Sequence, residues 1–349
     1  MDVILFLQAL EPRSVVRLVF AAISWRGDGP LYLLLFPLLY WGKAPAVAMR
    51  YGYLWGWAVL VMVVLKGYGT TLRPFLATPE QVAFLPPLLA GFYWFPSQDL
   101  LVAAYRQSPA FPSGHALVAT AVGLYLAAHT PSVGWRWLLG GGMVLIPVAR
   151  VYLGVHYPTD VLAGSAVGAL LWVLATRVLW PVLACHLERW GLRPWHRLLL
   201  AGTLTGVLAL LSREAAVVWL LLVSYPVLLT VARRRIASLA VDRGAAWRTA
   251  HAVVGCLGVG GLLMATAPLL SLGMLLNVPL VTVWVTLGCP SLLQRLAPVL
   301  RRLGQRIGSR GGQRAGRGQP LAQDRPSSRR DGAVEGLARA MAKVFPWRN

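Results

Sequence analysis

Acidic residues are scarce in this chain. There are 12 Asp and Glu in 349 residues, against 33 Lys and Arg. With so few carboxylates, and none clustered, a carboxylate-held metal centre is not expected. Cysteine is nearly absent too: Cys185, Cys256 and Cys289 lie far apart, in or beside apolar segments. That spacing is not that of a metal site, and predicts small buried side chains. The N-terminus carries Asp2 and lacks a basic stretch before its short apolar run, so a cleaved signal peptide is not expected.

Apolar residues are what the chain has in quantity. Hydrophobic types make up 57% of it and mean hydropathy is +0.61. That composition belongs to polytopic membrane proteins. A span needs about 20 apolar residues, which leaves room for about nine. They are expected near residues 30–41, 51–65, 114–128, 137–152, 159–180, 196–211, 216–231, 251–270 and 272–293. The fold class is therefore all-α, a polytopic membrane helix bundle with a disordered basic C-terminal tail. Four regions follow: 1–28, an interfacial N-terminal segment; 29–185, the membrane domain that holds the motifs; 186–296, a further four-helix membrane region; 297–349, the tail.

The net charge of +21 does not indicate nucleic acid. Its excess sits in the tail and in short loops, where it orients a membrane protein and holds a tail against anionic lipid. The loop with Arg189, Arg193 and Arg197, the loop with Arg233, Arg234, Arg235, Arg243 and Arg248, and the tail are all expected inside. With nine spans the N-terminus is outside, and so are the connection 75–111 and the turn at His156. That connection is rich in aromatics, including Phe92, Tyr93, Trp94 and Phe95, and suits the outer lipid interface. Gly164 and Gly168, and the run from Gly140 to Gly142, are expected to let helices approach closely. His129, His186, His196 and His251 are read as interfacial, near inner boundaries. Arg213 and Glu214 are read as an outer turn.

The orientation, derived without any motif, brings three motifs to one face. They are Lys66-Gly-Tyr-Gly-Thr-Thr-Leu-Arg73-Pro74, Pro112-Ser113-Gly114-His115, and Ala149-Arg150 followed by His156 and Asp160. Three fixed cations, two histidines and one carboxylate are the parts of a metal-free phosphoryl-transfer site. Taken one at a time, Lys66 reads as a snorkelling boundary residue, either histidine as interfacial, and Asp160 as a favourable helix N-terminal charge. Taken together, they require several coincidences.

In order and internal spacing these motifs resemble the type 2 phosphatidic acid phosphatase and vanadium haloperoxidase superfamily, over roughly residues 30–180. The resemblance implies His156 as the nucleophile, His115 as the acid for the leaving oxygen and Asp160 as the carboxylate orienting His156. It implies Lys66, Arg73 and Arg150 as phosphate ligands, with Ser113 and the Gly114 amide completing the cradle. It implies no cofactor and no metal. One position departs from the pattern: Ala149 stands where the family usually has serine. A lost neutral hydrogen bond is worth ~0.5–1.5 kcal/mol, which predicts a slower or differently selective enzyme.

The implied function is a membrane phosphatase hydrolysing a lipid phosphate or diphosphate through a phosphohistidine at the outer face of a bacterial inner (plasma) membrane. Expected partners are the lipid phosphate substrate and membrane lipids; oligomeric state is left open. The nine-span layout is also similar to the glucose-6-phosphatase branch, which implies a soluble sugar phosphate as substrate. Phosphotransfer between lipids is a related alternative. A non-enzymatic transporter or scaffold built on the last four spans is a third.

Overall fold

A computed structural model describes residues 1–9, 14–27, 29–42, 45–85, 98–181, 245–266, 280–281 and 283–296. The spans expected at 196–211 and 216–231, part of 272–293, residues 92–95, Cys185, His186, His196 and the tail lie outside them. All regular elements among the described residues are helical. In chain order they are α1 (Asp2–Ala9), α2 (Ser14–Trp25), α3 (Gly29–Gly42), α4 (Pro45–Gly67), α5 (Pro74–Ala77), α6 (Gln98–Gln107), α7 (Gly114–Ala128), α8 (Val133–Tyr152), α9 (Pro158–Leu174) and α10 (Ala245–Thr266). A π-helical turn, Ala175–Leu179, continues α9, and another, Trp284–Gly288, follows α10 in the chain. By length and composition, Pro158–Leu179 and Trp247–Ala265 are apolar enough to cross a membrane. Val15–Trp25, Leu31–Gly42 and Gly114–Ala128 are shorter apolar helices.

The bundle is organised around α7, which packs against α9, α8 and α4. Its composition allows this. Ala116, Leu117, Ala121 and Tyr125 are fully buried, and most of the helix has no solvent-facing side. A helix apolar all round belongs inside. Close packing with α9 comes from the G-x-x-x-G pair. A Cβ at Gly164 would collide with the Ser113 carbonyl, and one at Gly168 with the Leu117 carbonyl. Both contacts are with backbone, so glycine lets the helices meet main chain to main chain.

The expectation for the other glycine run does not hold among the described residues. Cβ atoms at Gly140, Gly141 and Gly142 would meet nothing within 4 Å. Among the described residues, no helix closes against this run in α8.

The N-terminal segment, expected at the interface, also contributes to the interior. Ile4 is fully buried with Phe75, Val82 and Leu153, and α2 packs along α8. His251, expected at a boundary, is buried between Trp41 and Trp247, with ring centroids 4.7 and 3.7 Å away. Its Nδ1 lies 2.8 Å from the Trp247 carbonyl one turn back. Hydrogen bonding within the helix and stacking replace the water that a boundary would offer. His129 caps the end of α7, its Nδ1 2.8 Å from the Tyr125 carbonyl. Cys289 is buried and donates to the His251 carbonyl, 3.4 Å away; Cys256 is half-buried.

Candidate active site

The site forms where three chain turns are fastened to one another by backbone hydrogen bonds. Helix α8 ends at Tyr152, capped by Leu153, and the chain reverses through Gly154 at φ 74°. That left-handed conformation favours glycine, and a side chain there would also strike the Ala83 carbonyl. The carbonyl of Gly154 accepts from Phe75 N at 3.2 Å, and that of Leu153 from Leu85 N at 3.3 Å. These bonds fix the turn carrying His156 to the segment carrying Arg73. Gln8 of α1 adds a clamp: its Nε2 donates to the Tyr152 and Ala83 carbonyls, both at 2.9 Å. The Ser113 amide donates to the Asp160 carbonyl at 3.0 Å, and the Ala110 amide to the Thr71 carbonyl at 2.8 Å. All three motifs therefore meet.

Pro158 occupies the first turn of α9, where its missing N–H costs nothing. Asp160 follows in the same turn and reaches back, its Oδ2 accepting from the Tyr157 amide at 2.8 Å. The same oxygen lies 3.6 Å from His156 Nδ1, which has no hydrogen-bond partner among the described residues. That is ion-pair distance, longer than a hydrogen bond. Both residues are buried.

Arg73, 3% exposed, is held at every nitrogen. Nε donates to the Ser108 carbonyl at 3.1 Å, Nη1 to the Val155 carbonyl at 3.0 Å and Nη2 to Ser108 Oγ at 3.4 Å. Its guanidinium lies over the Tyr105 ring, 4.3 Å from the centroid. Nη1 is also 3.3 Å from His156 Nε2. Arg150, 2% exposed, donates from Nη1 to Ser24 Oγ at 3.0 Å and from Nη2 to the Tyr105 hydroxyl at 3.2 Å. Its Nε is buried with no hydrogen-bond partner among the described residues. Lys66 is half-buried at the end of α4 and donates to the Pro109 carbonyl at 2.6 Å. An unpaired buried donor and three cations facing one another are costly, and an anion among them relieves both costs.

The cations and burial set the state of the histidine. Burial comes first, then Arg73, Arg150, Lys66 and His115, and together they hold His156 well below the ordinary histidine range. It is neutral, with a lone pair available. Burial likewise lowers Arg73 to about 10, which leaves it charged at neutral pH.

The remaining motif residues border this cluster. Ser113 caps α7, its Oγ accepting from the Ala116 amide at 3.5 Å. Gly114 starts that helix against Met62, which fills the space a Cβ would need. His115 is half-buried one residue on.

Sequence reading missed four contributors. Ser24 and Gly27, on and just after α2, reach the site from outside the motifs. Ser24 is buried against Arg150, and the Gly27 backbone comes so close that a Cβ would lie 2.7 Å from the His115 ring. Tyr105 and Ser108, on and after α6, hold both arginines. Ser24, a lone polar residue in the apolar run 18–25, is the one available signal.

Residues 47–183 match the sequence profile of the PAP2 superfamily. An undecaprenyl-diphosphatase of Sulfolobus acidocaldarius is 39% identical over 69 residues, 20% of this chain and 32% of that protein. The phosphatidylglycerophosphatase B of Bacillus subtilis is 36% identical over 85 residues, 22% of this chain and 42% of that protein. The chain therefore spans about a third to two-fifths of the length of these relatives. The crystal structure of Aquifex aeolicus LpxE aligns with 50% of this chain and 93% of its own, at 19% identity and a TM-score of 0.41. The turns that place His115, Arg150 and His156 together all lie in the stretch that matches the PAP2 superfamily.

Proposed function

We propose that this protein is a metal-independent, multi-pass membrane phosphatase that hydrolyses a lipid phosphate or diphosphate through a phosphohistidine. The observation that carries the reading is a buried, neutral His156 whose Nε2 sits 3.3 Å from Arg73, with Arg150 and Lys66 close enough to act on its charge. Such a constellation holds a phosphoryl group and attacks it.

Nε2 forms a bond to phosphorus while the bond from phosphorus to the leaving oxygen breaks. Asp160, near Nδ1, stabilises the cation that develops on the ring. His115 gives its proton to the leaving oxygen. Water then attacks the phosphohistidine and passes a proton back to His115, which releases phosphate and restores neutral His156. Lys66, Arg73 and Arg150 hold the equatorial oxygens, with Ser113 and the Gly114 amide at the α7 N-terminus beside them.

Around this cluster, Tyr68, Leu72 and Phe111 are 77%, 58% and 41% exposed. Apolar side chains at the mouth suit a lipid interface better than a soluble sugar phosphate. The nine-span layout, with the site on the outer face of a bacterial inner membrane and the tail inside, completes the reading.

The test is phosphate release by purified protein in detergent and chelator, across lipid phosphates, lipid diphosphates and sugar phosphates. Release confined to lipids and inhibited by vanadate is expected. His156→Ala should lower it at least about a thousandfold. His115→Asn should lower it about a hundredfold or more, most for the poorest leaving groups. Turnover by His156→Ala at the normal rate would overturn the mechanism. Release from sugar phosphates alone would favour the soluble-substrate reading.

A further inference from the structure

A cavity of about 940 Å³ lies on the side of α7 away from α9, between α3 and α8. Its α3 wall is a single stripe, Leu31, Leu35, Leu38 and Leu39, ending at Gly42. Its floor is α7, at Val122 and Gly123, and its α8 wall includes Gly141, Gly142 and Leu145. The open glycine run found in α8 is thus the low wall of a groove. Its α8 rim is also open sideways: Trp137, Leu138 and Leu145 line it and are 78%, 62% and 46% exposed.

One end of the groove adjoins the active site. Ile146 and Arg26 lie there, and Gly27 separates Ile146 from His115. A Cβ at Gly27 would lie 3.0 Å from Ile146 and 2.7 Å from the His115 ring. The other end is bordered by Arg248 and Thr249 near the start of α10, which packs alongside α3, with Trp247 edge-on to Trp41 at 5.3 Å. From Leu31 to Gly42 the groove follows α3 for roughly 17 Å. That is about half of a ~30 Å hydrocarbon core, the depth of one leaflet.

We propose that this groove holds the apolar chain of the substrate, so that the protein acts on a lipid phosphate whose single chain lies along α3 while its phosphate sits among Lys66, Arg73 and Arg150. The proposal rests on the phosphatase reading and deepens it. Displacement at phosphorus places nucleophile and leaving group on opposite sides. His156 is the nucleophile, so the leaving oxygen, which bears the chain, faces His115. His115 lies just beyond the groove's end, on the other side of Gly27 from Ile146. Cations at the headgroup end and an apolar slot one leaflet deep match an anionic lipid, not a soluble phosphate. Segments outside the matched family stretch, α2, α3 and α10, build much of this groove, which gives them a role in substrate choice.

The experiment uses full-length His156→Ala protein in detergent with an alkyl monophosphate carrying a diazirine at its chain end. After irradiation, labelling of α3, α8 or the start of α10 is expected. Labelling of the exposed face of α9, at Leu162 or Leu170, would overturn the proposal. In the active protein, Gly142→Phe fills space that is open to a side chain. It should lower kcat/KM for a long-chain phosphate at least tenfold relative to a short-chain one. An unchanged ratio would also overturn the proposal. Phosphate release from the short-chain compound by unmodified protein tests the phosphatase reading separately. Turnover without groove labelling removes the groove, and groove labelling without turnover removes the enzyme.

Discussion

The two sides of α7 use glycine in opposite ways. Against α9, Gly164 and Gly168 bring backbones into contact and leave no room for a Cβ. Toward α3, Cβ atoms at Gly141 and Gly142 of α8 would meet nothing within 4 Å, and both residues line a cavity. The first side holds the buried polar cluster in place, because Ser113 and Asp160 are joined through the helix contact that glycine allows. The second side is apolar and under-filled. Rigidity near the phosphate and space near the leaving group's chain are different requirements, met on opposite faces of one helix.

The largest expected break in this comparison is Gly164→Leu. Its side chain would collide with the Ser113 carbonyl, and overpacking against backbone should cost at least about 3 kcal/mol. Loss of folded protein, or a large fall in melting temperature with loss of turnover, is the expected outcome. Gly141→Leu, in open space on a helix, should change stability by no more than about 1 kcal/mol, and in the favourable direction. Equal thermal shifts for the two would remove the contrast.

A smaller effect is expected from Ser24→Ala. It removes one acceptor from buried Arg150, worth about 1.5 kcal/mol or near tenfold, with KM for the phosphate rising more than kcat falls. An unchanged KM would show that Ser24 does not position Arg150.

The smallest effect concerns pH. His156 is held below 6.5 in the folded protein, whereas an unfolded chain binds its proton near that value. The unfolded state therefore takes up more protons as pH falls, and stability is lost below about 6.5. Melting temperature should drop between pH 7 and 5, and less so in His156→Gln. A steeper drop in the variant would contradict a buried neutral histidine.

The chemistry was legible in the sequence because its residues are unlike their surroundings. In an apolar chain, Lys66, Arg73, His115, Arg150, His156 and Asp160 each need a partner, and the order of their motifs was enough to group them. Contacts of long sequence separation were not legible. Ser24 is 126 positions from Arg150, and Gly27 reads as a turn residue until His115 is seen against it. Gly140, Gly141 and Gly142 and Gly164 with Gly168 look alike as letters, yet one set faces space and the other a neighbouring backbone.

By itself the sequence determined the helical class, the apolar character and the set of ionisable groups, since hydropathy and residue type follow from local composition. The tertiary structure alone decided which hydroxyl meets Arg150, that Asp160 stands 3.6 Å from the His156 ring, and where the bundle leaves room between α3 and α8. Those outcomes depend on how helices approach one another, and that is settled by packing between residues the chain places far apart.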